Sequence, residues 1–264
     1  MNESMPSTKQ AFDQLARNYD SIFTNTNIGK MLRQRTHELL DEIFLPEDIV
    51  LVLNCGTGED VLYLASRGIK VIATDSSAEM IKYARIKIKD GGLENRVIFK
   101  QIDFDELDAC LDPDEQFDGV VSNFGGLNCS RDLTLLAGEL SKYVRVGGRL
   151  YLCIMGRFVP WEWFYLGLKG NFSRVIERIS GSCMWRGRYI KYYTPGSVIK
   201  SFSDNFRAAD SRGLGFLLPP SYAGSLVSRY PDFFQLLNRL EKKIESCFAV
   251  SCFSDHFIVT FLKK

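Results

Sequence analysis

The chain has 264 residues, of which 45% are hydrophobic and 12% aromatic, and this is enough to build a sizeable core. Its 33 lysines and arginines are balanced by 32 acidic residues, and the net charge of +1 argues against a general nucleic-acid-binding protein. No apolar run reaches the roughly eighteen residues of a membrane span, and the N-terminal segment lacks the pattern of a signal peptide. We therefore expect a cytoplasmic protein without nucleic-acid or membrane partners.

The cysteines and histidines form no pattern that is typical of a metal site or a disulfide framework. The seven cysteines are scattered, their number is odd, and no C-x-x-C pair occurs. The histidines, His37 and His256, are far apart in the sequence. We predict reduced thiols and no bound metal.

Two helices are predicted at the N-terminal end. Residues 7–20 carry apolar side chains at helical spacing, and residues 27–45 form a second amphipathic stretch that Pro46 ends. Arg33 and Arg35 lie on the second helix, and we favour a solvated charged face for them over a contact with a ligand.

A βαβ unit is predicted between Ile49 and Asp75, where two short apolar runs flank a helical pattern. The first run leads into a turn of small residues, Asn54 to Gly58, and the second run ends on Asp75. The glycines let the backbone approach a ligand closely, and the helix start offers free N–H groups to a carboxylate or phosphate. An acid about twenty residues beyond such a turn accepts hydrogen bonds from ribose hydroxyls. The unit therefore predicts a nucleoside-bearing ligand.

The segments LNCGTGED and VIATDSSAEMIKYA resemble the first two motifs of class I S-adenosylmethionine-dependent methyltransferases. Three later segments, VIFKQIDFDEL, FDGVVSNFGGLNC and VRVGGRLYLCI, follow in the order which that fold requires. GLGFLLPPSY and SDHFIVTFL resemble stretches of bacterial small-molecule methyltransferases. Two positions depart from the family pattern. Val52 stands where an acid usually helps to hold the methionine amino group, and Asn54 replaces the first glycine of the turn.

The resemblance implies S-adenosylmethionine as the cofactor and assigns roles to particular residues. Asp103, at the end of a third strand over residues 96–102, would accept a hydrogen bond from the adenine amino group. The turn after a fourth strand over residues 117–122 is where methyl group and acceptor would meet, and oxygen and π-face groups there suit the sulfonium charge. Tyr19 either covers the cofactor or completes the apolar stripe of its helix. The residues assigned to cofactor binding are Tyr19, Asn54, Cys55, Gly56, Thr57, Gly58, Asp75, Ser76, Met80, Asp103, Phe104, Asn123 and Phe124.

The composition changes after a fifth strand that ends near Ile154. Residues 155–200 are rich in aromatic and basic side chains, and we interpret them as an insertion that covers the acceptor site. Trp161, Trp163 and Tyr193 are candidate walls for an apolar or aromatic acceptor. The core of a cap subdomain is an equally compatible interpretation of these aromatic residues.

The C-terminal part is predicted to return to the sheet. It contains a sixth strand over residues 206–218, a helix over 230–248 and a final strand over 253–262. The apolar side chains on one face of that helix are Phe233, Leu236, Leu237, Leu240 and Ile244.

The predicted fold is a Rossmann-like, doubly wound, seven-stranded α/β sheet. The resemblance implies that its last strand inserts antiparallel between the fifth and the sixth. The expected regions are an N-terminal helical cap (1–46), a cofactor-binding core (47–154), the insertion (155–200) and the C-terminal part of the sheet (201–264).

The predicted activity is S-adenosylmethionine-dependent methyl transfer to a small-molecule acceptor. Such chemistry needs mainly positioning and desolvation, and no catalytic pair stands out in the sequence. If the acceptor is a hydroxyl, His256 and Tyr19 are the candidate bases.

Two other functions stay open at this point. Val52 in place of the acid is compatible with a protein that binds the cofactor without methyl transfer. A nicotinamide-dependent dehydrogenase shares the βαβ unit, and Tyr165-x-x-x-Lys169 matches the pair of the short-chain family. No serine lies at the expected distance before that pair, however.

Overall fold

The computed structural model describes residues 8–264, with side chains from Phe12 onward. The helices are Thr8–Tyr19 (α1), Asn27–Asp41 (α2), Glu59–Ser66 (α3), Ala78–Asp90 (α4), Leu133–Tyr143 (α5), Pro160–Leu168 (α6), Phe172–Ser180 (α7), Pro195–Phe202 (α8), Gly224–Arg229 (α9), Pro231–Ile244 (α10) and Phe248–Cys252 (α11). The strands are Ile49–Leu53 (β1), Lys70–Asp75 (β2), Val97–Gln101 (β3), Phe117–Ser122 (β4), Val144–Met155 (β5), Ser182–Trp185 (β6), Arg188–Lys191 (β7), Phe206–Leu214 (β8) and His256–Lys263 (β9). None of the helices from residue 8 onward is long and apolar enough to cross a membrane.

The main sheet has seven strands in the order β3-β2-β1-β4-β5-β9-β8. Strands β1 to β5 run parallel, and β9 pairs antiparallel with both β5 and β8. The predicted fold class and the position of the last strand are therefore confirmed. β8 ends at Leu214 and not, as the sequence predicted, at residue 218. Gly215, the next residue, takes a φ of +80° and turns the chain away from the sheet.

Side chains along the central strands point alternately to the two faces of the sheet, so the core has two layers. Val50 and Val52 of β1 point to the face covered by α2 and α3, whereas Leu51 and Leu53 point to the face covered by α5 and α8. Successive strand side chains point to opposite faces, so a run of apolar residues is required where both faces are covered. This arrangement places the C-terminal ends of β1, β2 and β4 side by side.

The segment between β5 and α8 forms α6, α7 and the antiparallel hairpin β6–β7. The hairpin is fixed to the turn after β4, where Asn128 Nδ2 donates to the Lys191 carbonyl at 2.6 Å. α8 packs against α5, β8 and β9, so it belongs to the helical layer of the sheet. Within the predicted insertion 155–200, the part that can cover the cavity therefore ends before α8.

Most of the apolar face of α10 points outward, which is unusual for an amphipathic helix beside a core, and of its five residues only Leu237 packs against that core. Phe233 and Leu236 are 54% and 53% exposed, whereas Glu241 on the opposite side is buried. The Glu241 carboxylate accepts hydrogen bonds from the N–H groups of Leu217 and Leu218 at 2.8 and 3.2 Å. Those N–H groups follow β8 and have no strand partner. Because buried N–H groups need an acceptor, the side of α10 that carries Glu241 is the side that is buried.

Candidate functional site

A cavity of about 690 Å³ opens at the C-terminal ends of β1, β2 and β4. The strand order reverses between β1 and β4, and this switch point is the usual ligand site of an open α/β sheet. The α1 helix and the β6–β7 hairpin form the outer wall, where the ring centroids of Phe12 and Trp185 lie 5.8 Å apart. The predicted cofactor-binding residues that line the cavity are Tyr19, Asn54, Cys55, Gly56, Thr57, Gly58, Asp75, Ser76, Met80, Phe104, Asn123 and Phe124.

The Asp75 carboxylate lies half-buried at the floor of this cavity. It accepts hydrogen bonds from the N–H groups of Gly56 and Ser77, both at 2.9 Å. Burial raises the pKa of Asp75 to about 6, in spite of these two donors, and repulsion from Asp103 and Asp13 adds to the effect. The two N–H groups thus hold the carboxylate at the first turn, while its desolvation disfavours the ionised form.

Asp103 is the one predicted cofactor-binding residue that does not line the cavity. Its Oδ1 accepts a hydrogen bond from the Asp105 N–H at 3.1 Å and so caps the short helical turn Phe104–Ala109. A carboxylate at a strand end can cap the turn that follows, and this local bond competes with a bond to a ligand. Phe104, the next residue, lines the cavity in its place.

Asn54 takes the place of a glycine in the turn and uses its side chain to hold the turn together. Its φ is +48°, a conformation that asparagine tolerates. Its Nδ2 donates to the Asn123 carbonyl at 3.0 Å, and its Oδ1 accepts from Ser122 Oγ at 2.6 Å. Val52 is only 2% exposed and packs in the core, so it cannot contact a ligand in this arrangement.

A buried ion pair between Arg33 and Asp60 lines the cavity beside the Phe124 ring. Arg33 Nη1 donates to Asp60 at 2.8 Å, and the same carboxylate lies 2.9 Å from His37 Nε2 and 3.2 Å from Asn123 Nδ2. Burial would raise the pKa of Asp60, but the Arg33 charge and the His37 contact hold it well below its usual range. The prediction of a solvated Arg33 was wrong, because the residue is 8% exposed. The Asn123 amide also serves this network, since its Nδ2 donates to Asp60 Oδ2 and lies 3.2 Å from Thr36 Oγ1.

The two glycines of the turn have different roles, although both were predicted to admit a ligand. A Cβ on Gly58 would lie 2.7 Å from the Ala84 Cβ on α4, whereas a Cβ on Gly56 would meet nothing within 4 Å. Gly58 is therefore needed for the close packing of α3 on α4. Only Gly56 leaves its space to a ligand.

Gly58→Ala should consequently destabilise the protein more than Gly56→Ala. Both positions have a positive φ, which costs alanine about 1–2 kcal/mol, and the clash at Gly58 adds about 1–3 kcal/mol. Urea unfolding of the two variants measures the difference. Equal losses of unfolding free energy would contradict the packing role of Gly58.

The aromatic residues that reach the cavity are not the predicted walls. Trp161 donates its Nε1–H to the Leu217 carbonyl at 2.9 Å, and Tyr193 packs against the core layer below α5 and α8. Trp163 also lies outside the cavity wall. Between β5 and β9, other side chains line the cavity on one face of the β6–β7 hairpin and in the segments that follow β7 and β8, among them Cys183, Trp185, Arg188, Ile190, Tyr192 and Tyr222. The sequence signal for this hairpin face was the every-second-residue spacing of Cys183 and Trp185 before the turn at Arg186 and Gly187, and of Arg188, Ile190 and Tyr192 after it.

His256 lines the cavity at the first residue of β9. Its Nδ1 lies 3.1 Å from the Asp255 carboxylate, and Asp255 in turn lies 3.0 Å from Arg178 Nη2. Burial would raise the pKa of Asp255, but the charges of His256 and Arg178 hold it well below its usual range. Tyr19 also lines the cavity, and burial raises the pKa of its hydroxyl. The anionic form of Tyr19 is therefore disfavoured, and His256 is the better placed of the two candidate bases.

Two other sequence patterns have no part in the cavity. Lys169 Nζ donates to the Tyr165 hydroxyl at 2.7 Å on the exposed side of α6, and neither residue lines the cavity. In the part of the chain that the structure describes, no three His, Cys, Asp or Glu side chains are grouped to hold a metal ion.

Comparisons with known proteins agree with this geometry. Residues 50–148 match a family model described as a methyltransferase domain. A demethylmenaquinone methyltransferase of Symbiobacterium thermophilum is 25% identical over 59% of this chain and 66% of its own length. The ubiquinone/menaquinone biosynthesis C-methyltransferase UbiE of Geotalea daltonii is 24% identical over 82% of this chain and 90% of its own. The uncharacterized protein MJ1252 of Methanocaldococcus jannaschii is 27% identical over 63% of this chain and 59% of its own.

The first and third of these matches span less than two thirds of the relative's own length. Among solved structures, the [4+2]-cyclase SpnF is similar with a TM-score of 0.66 and 17% identity, covering 98% of this chain and 97% of its own. A complex of DhpI with SAH is similar with a TM-score of 0.56 and 16% identity, covering 96% and 93%. At such identities the structural likeness establishes the fold alone.

Proposed function

We propose that this chain, which belongs to the class I S-adenosylmethionine-dependent methyltransferases, transfers a methyl group from S-adenosylmethionine to a small-molecule acceptor. The observation that carries the proposal is the convergence of Gly56, Asp75 and Arg33 on one cavity at the switch point of the sheet. The dehydrogenase alternative loses its support, because Tyr165 and Lys169 lie outside that cavity.

The side chains in the cavity fit both ends of the cofactor. Asp75 suits the ribose hydroxyls, and Met80 and Phe104 provide apolar surface for adenine. Arg33 Nε is buried and has no hydrogen-bond partner among the described residues, so it suits the methionine carboxylate. Val52 cannot provide the negative charge that usually holds the methionine amino group, and in the proposed complex Asp60 provides it instead. When bound, the cofactor supplies an activated methyl group, and the protein has to position the acceptor and exclude water.

We further propose an apolar, ring-bearing acceptor and His256 as the base. Trp185 and Tyr192 of the hairpin and Tyr222 give the cavity an aromatic wall, and two of the relatives are named as quinone-pathway methyltransferases. The Asp255 carboxylate lies 3.1 Å from Nδ1 without a hydrogen bond, so its role in the proposal is to attract the imidazole by charge, and Nε2 is the atom proposed to take a proton from the acceptor.

Affinity for S-adenosylhomocysteine should depend on pH through Asp75. In the proposed complex the ionised carboxylate accepts hydrogen bonds from both ribose hydroxyls, and the pKa of Asp75 is about 6. The affinity for S-adenosylhomocysteine should therefore be constant above about pH 7 and fall about tenfold per pH unit below pH 6. Isothermal titration calorimetry between about pH 5 and pH 8 measures this profile. Asp103→Asn should move the midpoint to lower pH, since Asp103 contributes to raising the pKa of Asp75.

The contribution of Asp75 to the stability of the ligand-free protein should be greater at low pH, whereas its contribution to the affinity for S-adenosylhomocysteine should be greater at high pH. Because the pKa of Asp75 is raised on folding, its contribution to stability is lost as pH rises through about 6. Loss of binding below pH 6 is thus separable from loss of the fold. A flat affinity profile would contradict the proposed role of Asp75.

Labelled S-adenosylmethionine tests the proposal directly. We expect binding by equilibrium dialysis and transfer of the methyl label to a small molecule in a cell extract. Absence of binding at millimolar cofactor would refute the proposed function.

A second candidate is a cofactor-binding protein that catalyses another reaction or none. Val52 is buried in the core at the position of the usual acid, and the fold is shared with a protein described as a cyclase. Binding of S-adenosylmethionine without label transfer to any acceptor would favour this candidate.

A further inference from the structure

Three arginines around the cavity have buried donor groups, and one of them has no acidic partner. Arg33 pairs with Asp60, and Arg178 pairs with Glu162 and Asp255. Arg188 forms no ion pair with any carboxylate among residues 12–264. Its Nη2 donates to the Cys129 carbonyl at 2.8 Å, while Nε and Nη1 are buried without a hydrogen-bond partner.

Two buried N–H donors of one guanidinium without an acceptor are costly, so this arrangement favours an acceptor that a bound ligand supplies. A buried donor without an acceptor costs about 1–3 kcal/mol, and more when it is charged. Asp105, the carboxylate that follows β3 nearby, is occupied by Ser130 Oγ at 2.8 Å and the Arg131 N–H at 3.1 Å. Its ion pair is with Arg131 Nε at 3.8 Å and not with Arg188.

Arg188 is held in place by the backbone of the hairpin. The turn residues Arg186 and Gly187 have φ values of +47° and +78°, and Arg188 pairs across the hairpin with Trp185. Lys191, at the end of β7, donates its Nζ–H to the Arg131 carbonyl at 2.6 Å and accepts from Asn128 through its own carbonyl. The free donors consequently have a fixed position on the cavity wall, next to aromatic and apolar side chains.

We propose that Arg188 binds an anionic oxygen group, of the carboxylate type, on an apolar ring-bearing acceptor. A guanidinium binds a carboxylate through two parallel N–H···O bonds along one edge, either Nε with Nη2 or Nη1 with Nη2. The Cys129 carbonyl takes one of the two Nη2 hydrogens, so the second remains to complete an edge with Nε or Nη1, neither of which has a partner. The inference rests on the proposed function and narrows its substrate class. The methionine carboxylate is assigned to Arg33, and the adenosine part of the cofactor carries no anion that would need Arg188. The anionic group orients the acceptor, and a separate hydroxyl or acidic carbon faces His256.

Binding of two matched probes tests this proposal. 2-Naphthoate and its neutral isostere 2-naphthamide are titrated calorimetrically into protein saturated with S-adenosylhomocysteine. We expect the wild type to prefer naphthoate by about 10- to 100-fold, because a charge-assisted pair is worth about 1.5–3 kcal/mol. Arg188→Gln should abolish the preference, and Arg188→Lys should keep part of it. Arg174→Gln, which removes an exposed arginine of α7, should leave the preference unchanged.

The outcomes separate this inference from the proposed function. Equal wild-type affinities for the two probes, or a preference that survives in Arg188→Gln, would overturn the assignment of Arg188. Weaker S-adenosylhomocysteine binding by Arg188→Gln, with the probe preference unchanged, would place Arg188 in the cofactor site and also overturn it. If S-adenosylhomocysteine itself does not bind, the proposed function fails, and the same two probes on the ligand-free protein still decide whether Arg188 recognises an anion.

Discussion

Replacing Asp60 with asparagine is expected to lower the free energy of unfolding by about 3–5 kcal/mol, because it leaves Arg33 as a buried charge without a counterion. The loss should exceed that of ordinary polar substitutions, since the same carboxylate also contacts His37 and Asn123. Cofactor affinity should fall as well, because Arg33 would lose the partner that fixes its position beside Phe124. Urea unfolding and S-adenosylhomocysteine titration measure the two effects separately.

A surface ion pair provides the control for Asp60. Lys82 and Glu79 lie 3.1 Å apart on α4 with side chains that are 63% and 44% exposed. Lys82→Gln should cost less than about 1 kcal/mol, because solvent screens such pairs. The acid dependence should differ too: the pKa of Asp60 is depressed, so its contribution to stability is present near neutral pH and is lost as the pH falls into the acidic range. If Asp60→Asn lowers the free energy of unfolding no more than Lys82→Gln does, the Arg33–Asp60 pair does not stabilise the fold as proposed.

His256→Gln should lower the turnover number by about 10²- to 10⁴-fold, the usual contribution of a positioned base. Its affinity for S-adenosylhomocysteine should stay within about twofold of wild type, because His256 is proposed to face the acceptor and not the cofactor. The KM for the acceptor should change much less than the turnover number, and a merely structural role would not produce that split. Initial rates with the acceptor found by label transfer, together with S-adenosylhomocysteine titration, give all three results.

The groups that face His256 determine how this experiment is controlled. Asp255 approaches Nδ1, Arg178 holds Asp255, and the Phe124 ring lies 6.0 Å from the imidazole. Asp255→Asn should retain the imidazole but weaken its orientation, so its turnover should lie between wild type and His256→Gln. Tyr19→Phe should retain most of the turnover, because burial disfavours the anionic form of Tyr19. Unchanged turnover in His256→Gln would exclude it as the base and point to an acceptor that is already activated.

The exposed apolar face of α10 illustrates where sequence patterns are ambiguous. The spacing of Phe233, Leu236, Leu240 and Ile244 predicts a helix, and the helix is present. Which face is buried depends on the free N–H groups after β8, which Glu241 satisfies from a position more than twenty residues away. That partnership is invisible in the helix sequence alone. The same limit applies to Arg33, whose burial depends on Asp60 in another helix.

The sequence by itself determined the sheet and the turn that brings Gly56 to Asp75, because those features depend on local chemistry. Apolar runs of the β1 type form strands covered on both faces, and the small-residue turn followed by an acid at the end of β2 places Gly56 beside Asp75, whose carboxylate accepts the Gly56 N–H. Only the tertiary structure decided which side chains of the segment after β5 line the cavity. Trp161 and Tyr193 were chosen for their size, yet the packing of the hairpin brought Trp185, Arg188 and Tyr192 to the cavity instead. Contacts between segments far apart in the chain follow from how elements pack together, and composition and periodicity within one segment do not encode that packing.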